Sequence, residues 1–169
     1  MLGLGLASAF AQDGRRTDMR LTSDQPIEIE SDRLEVRDND RVAVFDGNVS
    51  VVQGATRLRS GTMTVHYAAG SAAAAGGSGD IERIEVGGGV HVSTAAQVAT
   101  GDQASFDMRS ETLVVTGREV VLTEGSNVIM GCRLTVQMGS GLAKLDGCGG
   151  SGGGSGRVRM LLQPDSANR

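Results

Sequence analysis

The stretch DQPIEIESDRLEV, residues 24–36, decides the fold class of this chain. Its apolar residues Ile27, Ile29, Leu34 and Val36 are separated by glutamates and an arginine. Alternation with a period of two is typical of a β-strand that has one dry face and one wet face. The pattern therefore predicts a strand whose dry face lies against something apolar.

The same pattern recurs along the chain. Four segments place a small residue before alternating apolar positions, and their second residues lie 29, 41 and 30 positions apart. These segments are ESDRLEV (30–36), RSGTMTV (59–65), TGDQASF (100–106) and MGCRLTV (130–136). A second family alternates with the first and comprises FDGNVSV (45–51), VGGGVHV (86–92) and VTGREVVL (115–122). Repeated short strands of this kind predict an all-β, antiparallel fold.

Glycine, asparagine and aspartate within these segments predict turns. We expect turns at residues 38–40 and at Gly47 and Gly88, because such residues accept positive φ or bond their own backbone. The segment around Gly117 is one residue longer than its counterparts, which predicts a β-bulge at 117–119.

Large rings are scarce in this chain: aromatic residues make up 2% of it, and tryptophan is absent. Rings usually fill the middle of a small β-sandwich, so two facing sheets of this chain would leave room between their aliphatic faces. A guest with long apolar chains would fill that room. The net charge of −4 predicts no nucleic-acid partner, because phosphate binding needs a basic face.

The chain divides into a short leader and one domain. The apolar start and the small-x-small site AFA before Gln12 predict a truncated signal peptide at 1–11, with a frayed apolar terminus as the alternative. We predict an N-terminal segment at 12–22, the β-domain at 23–164 with a flexible Ala/Gly/Ser loop at 68–79, and a disordered tail at 165–169. Export would place the cysteines in an oxidising compartment.

No active site is evident, and we predict that the protein is not an enzyme. His66 and His91 occupy outward positions of alternating strands, without partners at metal-ligand spacing, so we expect neither a metal nor a cofactor. The glycine runs at 87–89 and 149–156 lack the Lys-Ser/Thr of a phosphate loop and predict turns and a linker.

Cys132 and Cys148 flank a predicted hairpin. A turn centred on Ser140 would place them directly opposite each other, at a separation that a disulfide spans. A register shifted by one residue would instead match the apolar Leu134 to Leu145. A disulfide within the chain, two free thiols and an intermolecular bond all remain open at this point.

Several blocks resemble the OstA-like (LptA) family of periplasmic lipopolysaccharide-transport bridge proteins. The specific block is SDQPIEIESD (23–32), followed by FDGNV (45–49) and VVQG (51–54). LVVTG (113–117) with VLTEG (121–125), and RVRMLLQP (157–164), are similar to later parts of that family. The resemblance implies an open, V-shaped antiparallel β-jellyroll that is located in the periplasm.

The resemblance also implies a function. Members of that family hold the lipid A acyl chains of lipopolysaccharide between two sheets, associate head to tail, and bridge an inner-membrane transport complex to an outer-membrane translocon. Two alternatives are the N-terminal OstA-like domain of another component of the same pathway and a structural β-solenoid surface protein.

The shared parity within the repeats predicts which residues face the interior groove. These are Ile27, Ile29, Leu34, Val36, Val49, Val51, Met63, Val65, Phe106, Val115, Leu134 and Val136. The last strand, at 157–162, is the expected assembly edge through Val158, Met160 and Leu162. Arg157 and Arg159 share its other face, which is either a solvated face or a contact for an anionic partner.

Overall fold

The computed structural model describes residues 25–70, 80–149 and 156–164. In these residues eleven antiparallel strands form one sheet, which confirms the all-β, antiparallel prediction and overturns the parallel β-solenoid alternative. The predicted signal peptide, the N-terminal segment to residue 22 and the C-terminal tail lie outside the described residues. So do most of the loop at 68–79 and of the glycine run at 149–156.

The strands follow the chain as a meander. They are β1 (Glu28–Glu30), β2 (Arg33–Arg37), β3 (Val42–Gln53), β4 (Thr56–Tyr67), β5 (Ile81–Ser93), β6 (Gln97–Gly101), β7 (Gln103–Asp107), β8 (Thr112–Glu124), β9 (Asn127–Gln137), β10 (Leu142–Asp146) and β11 (Arg159–Leu161). Five of these strands are 11 to 13 residues long, longer than the short strands that the repeats predicted.

Each long strand is shared between two halves of the sheet. The first half-sheet contains β1, β6 and β11, and the second contains β2, β7 and β10. The five long strands run through both halves. Apolar residues of both halves belong to one buried cluster, so the sheet is bent along the line between its halves and the two inner faces pack together.

The glycines that predicted turns lie at this bend instead. Gly47, Gly88 and Gly117 sit inside β3, β5 and β8, where the strand register shifts. The turn predictions at Gly47 and Gly88 are therefore wrong, because these glycines form bulges within continuous strands. The bulge at 117–119 and the turn at 38–40 are confirmed.

Two aspartates fasten the bend. The backbone N–H of Asp32 donates to Gly47 O at 2.8 Å, and Asn48 Nδ2 donates to the Asp32 carboxylate at 2.8 Å. Asp102 repeats this arrangement, because its N–H donates to Thr116 O at 2.9 Å and its carboxylate accepts from the N–H of Arg118 at 2.9 Å. Two segments of the first repeat family, ESDRLEV and TGDQASF, therefore mark breaks between strands, whereas RSGTMTV and MGCRLTV lie within the continuous strands β4 and β9. The second family marks bulges in β3, β5 and β8.

Positive φ explains why glycine stands at the first bulge. Gly47 has a φ of 81°, and a Cβ added there would meet the Asp32 carboxylate. A larger residue would therefore be strained and would also displace the carboxylate that fastens the bend.

Aliphatic side chains fill the core between the half-sheets. The largest fully buried ones are Leu134, Val49, Val115, Val120 and Val136, and one phenylalanine, Phe106, is buried with them. The scarcity of rings is thus met by close packing of branched side chains from both halves.

Truncation of the core should destabilise the domain. Leu134 is 1% exposed, so Leu134→Ala should lower the free energy of unfolding by about 2–5 kcal/mol through lost burial and a cavity. Leu142 in β10 is 54% exposed, and Leu142→Ala should change it by roughly 0.5 kcal/mol or less. Urea unfolding of both variants tests this, and similar losses would contradict the two-halved core.

Candidate functional site

A cavity of about 60 Å³ lies between the two inner faces. Val51, Leu58 and Val92 line it from the first half-sheet, while Met63 and Phe106 line it from the second. A few polar groups interrupt the apolar wall, namely Gln53, Thr56 and Ser105. The cavity therefore offers an apolar ligand a largely aliphatic surface.

The residues predicted to line the groove fall into three classes. Seven are buried, which are Val49, Met63, Val65, Phe106, Val115, Leu134 and Val136. Val36 and Val51 are partly buried and pack against the same cluster. Ile27, Ile29 and Leu34 are exposed at 45%, 36% and 49%.

The exposed residues of β1 and β2 belong to the inner face nonetheless. Ile29 pairs with Val51 of β3, and Leu34 pairs with Phe45. Directly paired residues of antiparallel strands project from the same face, so Ile29 and Leu34 continue the aliphatic surface to the edge of the sheet. Nothing in the described residues covers them there.

The opposite edge has the same character. Met160 of β11 pairs with Ile129, which is partly buried against the core, yet Met160 itself is 43% exposed. β11 is shorter than the predicted strand at 157–162, so Val158 and Leu162 flank it outside the strand and are exposed too. The aliphatic inner face is thus open at both ends of the sheet.

Sequence reasoning missed several groups of the interior. Val90, Val92, Val120 and Leu122 are buried beyond the bulges of β5 and β8, and their alternation within VGGGVHV and VTGREVVL was the signal that could have found them.

Two buried glutamines carried no such signal. Gln53 donates through Nε2 to Gln25 O at 3.0 Å, and Gln97 donates through Nε2 to the Glu124 carboxylate at 3.3 Å. Gln97 Oε1 has no partner among the described residues. Only the tertiary structure places these amides inside.

Two carboxyl groups, those of Glu35 and Asp107, have lowered pKa values. Both lie at the surface and away from the cavity. Hydrogen bonding and the charge of Arg37 lower the pKa of Glu35 in β2, and bonds from the backbone and hydroxyl of Ser110 lower the pKa of Asp107 at the end of β7. Within the described ranges, no group of three or more His, Cys, Asp or Glu side chains could hold a metal ion. The same ranges contain no helix that is long and apolar enough to cross a membrane.

A disulfide joins Cys132 of β9 to Cys148, with their Cα atoms 4.9 Å apart. The hairpin takes the shifted register, in which Leu134 pairs with Leu145, and not the one centred on Ser140. Pairing of the apolar residues decides the register. Cys132 and Cys148 are therefore not directly opposite each other in the hairpin, and the bond spans an offset of one position. It ties the end of β10 to β9, immediately before the glycine run that leads to β11.

Comparisons with known proteins bear on this geometry. The profile of a family described as LptA/(LptD N-terminal domain) LPS transport protein matches residues 28–142. The chain is 48% identical over 160 residues to the uncharacterized protein R00383 of Rhizobium meliloti (strain 1021), covering 95% of this chain and 83% of that protein. It is 46% identical over 50 residues to an uncharacterized protein of Rhizobium etli, encoded in the 5′ region of an rpoN-linked probable transport protein. That match covers 30% of this chain and 82% of the relative.

A solved structure has a similar fold. The crystal structure of LptH, the LptA-homologous periplasmic component of the lipopolysaccharide transport device of Pseudomonas aeruginosa, aligns with a TM-score of 0.66. The alignment covers 83% of this chain and 96% of LptH at 21% sequence identity, so the likeness concerns the fold alone.

The disulfide should stabilise the folded chain. Its cysteines are 16 positions apart, and closing such a loop contributes about 3 kcal/mol on the chain-entropy estimate. Reduction should lower the free energy of unfolding by roughly this amount, whereas the double variant Cys132→Ser/Cys148→Ser should not respond to reductant. Two alkylated thiols in the non-reduced protein, read by intact mass, would refute the bond.

Proposed function

Because the chain belongs to the LptA/(LptD N-terminal domain) family of LPS transport proteins, we propose that it is a periplasmic bridge for lipopolysaccharide. Its role in LPS transport follows from the family. The bridge proper is our proposal: the chain holds the acyl chains of lipid A between its half-sheets and passes them from an inner-membrane transport complex towards an outer-membrane translocon.

One observation carries this proposal: the aliphatic inner face runs from edge to edge of the sheet and is uncovered at both. A protein that only needed a core would gain nothing from leaving Ile29, Leu34 and Met160 exposed, because each costs the free energy of apolar hydration. An apolar cargo that moves along the inner face needs an open entrance and an open exit. The two uncovered edges supply both.

The small volume of the cavity supports a mode of binding in which the two half-sheets separate to admit the acyl chains. A volume of about 60 Å³ is smaller than the roughly 150 Å³ of a cavity that holds one benzene ring, so an acyl chain requires the half-sheets to separate. The bulges at the bend are the natural hinge, because Gly88 and Gly89 have φ of 75° and 85° and the ladder is interrupted there. Separation exposes the buried aliphatic residues, and the cargo covers them again at about 25 cal/mol per Å².

The two edges also support bridging. β1 and β2 form one edge of the sheet and β10 and β11 the other, and each edge strand leaves backbone groups on its outer side available for another strand. Because these edges differ, joining one to the other is heterologous and does not close into a ring. Copies would therefore join head to tail, and each terminal edge would accept a similar strand of a membrane component.

The inner face should contact lipopolysaccharide, and the outer face should not. Leu58 and Arg59 are neighbours in β4, but Leu58 lines the cavity and Arg59 is exposed on the outer face. A photo-crosslinking residue at position 58 should capture lipopolysaccharide in the periplasm, while one at position 59 serves as the matched control. Equal capture at the two positions would contradict binding between the half-sheets.

Head-to-tail joining should depend on β11. Proline at Met160 removes a backbone N–H and fixes φ in the middle of this three-residue edge strand, so Met160→Pro should remain monomeric. Light scattering on a concentration series should show growth for the unchanged protein only. Circular dichroism checks that the variant stays folded, and a folded variant that still polymerises would show that β11 is not the joining edge.

A further inference from the structure

The outer faces of the two edges carry charged residues, and the order of the charges along one edge is complementary to the order along the other. We infer that these charges set the register of the head-to-tail junction: Lys144 and Asp146 of one copy pair with Glu35 and Arg33 of the next. The partner is a second copy of this chain. The inference rests on the proposed head-to-tail joining and adds to it which residues meet.

Strand order fixes the direction of the junction. In the first half-sheet the order is β1, β3, β4, β5, β6, β8, β9 and β11, and in the second it is β2, β3, β4, β5, β7, β8, β9 and β10. Each half therefore has eight strands, and every neighbouring pair is antiparallel. The first and eighth strands run in opposite directions, so a second copy that continues the sheet adds its first strand antiparallel to the eighth.

Rows of paired residues across the strands determine which side chains of the two copies meet on the inner face. In the second half-sheet one row begins at Leu34, passes through Phe45 and Leu134, and ends at Leu145. In the first half-sheet the corresponding row begins at Ile29 and ends at Met160. If both rows continue straight into the next copy, Leu145 meets Leu34 and Met160 meets Ile29 on the inner face.

This straight register matches charges in the second half-sheet. Antiparallel counting from the Leu145–Leu34 pair places Lys144 opposite Glu35 and Asp146 opposite Arg33, all on the outer face. Among the described residues of one copy, the ion pairs of these groups are short-range pairs along their own strand. Arg37 contacts Glu35 at 2.6 Å, and Lys144 contacts Asp146 at 2.9 Å, with about half or more of each side chain exposed except Asp146 at 41%. Arg33 is exposed as well, so Arg33, Glu35, Lys144 and Asp146 can all turn towards a neighbouring copy.

The first half-sheet matches in the same register. Counting from the Met160–Ile29 pair places Arg159 opposite Glu30 and Arg157 opposite Asp32. Arg157, Arg159 and Glu30 are exposed, and in the described part of the chain none of them has an ion pair. The basic end of the chain thus faces the acidic beginning of the next copy.

Slipped registers are penalised. The two half-sheets are parts of one continuous sheet, so a slip in one half forces a slip in the other. A slip must be two residues long to keep the apolar residues inside. A slip by two places Lys144 opposite Arg33 in one direction and opposite Arg37 in the other, and like charges directly opposite each other are destabilising. The straight register leaves two mismatches on the outer face, where Leu161 faces Glu28 and Leu142 faces Arg37.

Charge reversal at the only lysine distinguishes these registers by sign. In the straight register Lys144→Glu faces Glu35, and the association constant should fall about tenfold at low ionic strength. In either slipped register the same change would replace a repulsion by an attraction, and association would strengthen. Light scattering or sedimentation on a concentration series at low and high salt measures the effect.

Mixing two variants tests the pairing itself. Glu35→Lys alone should also weaken association, but an equimolar mixture with Lys144→Glu should restore it, because every junction in an alternating chain is then matched. Arg159→Glu and Glu30→Arg provide the same test in the first half-sheet. Arg59→Glu and Glu82→Arg are matched controls, since both residues are exposed away from the edges and their reversal should leave association within about twofold of the unchanged protein.

The outcomes separate this inference from the proposal beneath it. Weakening by each single variant, restoration on mixing and loss of the difference at high salt support the register. If the unchanged protein assembles but Lys144→Glu assembles equally well or better, or mixing restores nothing, the register is overturned while head-to-tail joining stands. If the unchanged protein is monomeric at every concentration, both are overturned, whereas capture of lipopolysaccharide at position 58 would be unaffected.

Discussion

The structure depends on one constraint: a single antiparallel sheet with one apolar face must cover that face with itself. No helix or second domain in the described residues is available for this purpose. The sheet therefore bends along a line across its long strands, and the two halves bury each other's aliphatic side chains. The bulges at Gly47, Gly88 and Gly117 and the bonds of Asp32 and Asp102 are what make a bend possible without abandoning the strand ladder.

The same constraint leaves the edges open. A sheet that closed into a barrel would hide its first and last strands, but a bent sheet exposes both. Here the exposed edges are apolar on the inner face and charged on the outer face, which suits strand addition by a like partner more than contact with water. The proposed storage of an apolar cargo and the proposed joining of copies would thus be two consequences of one incomplete closure.

The sequence predicted much of this because period-two patterning is a local property. Alternation in IEIE and RLEV identified strands, and the repeat spacing identified an all-β array. The sequence predicted turns at Gly47 and Gly88, where the structure has bulges. Glycine with positive φ fits both a turn and a bulge, and only the pairing of neighbouring strands distinguishes the two. The register of the hairpin before Cys148 was open for the same reason, and the pairing of Leu134 with Leu145 decided it.

By itself, the sequence determined which residues are strand-forming, which face of each strand is apolar, and the family resemblance, since all three are written in local patterns. The tertiary structure alone decided how far each face is covered. Leu34 and Leu134 read alike in the repeats, yet one is 49% exposed and the other 1%, because Leu34 lies in an edge strand and Leu134 lies between two neighbours. Coverage depends on which strands lie on either side and across the bend, and those neighbours are distant in the chain.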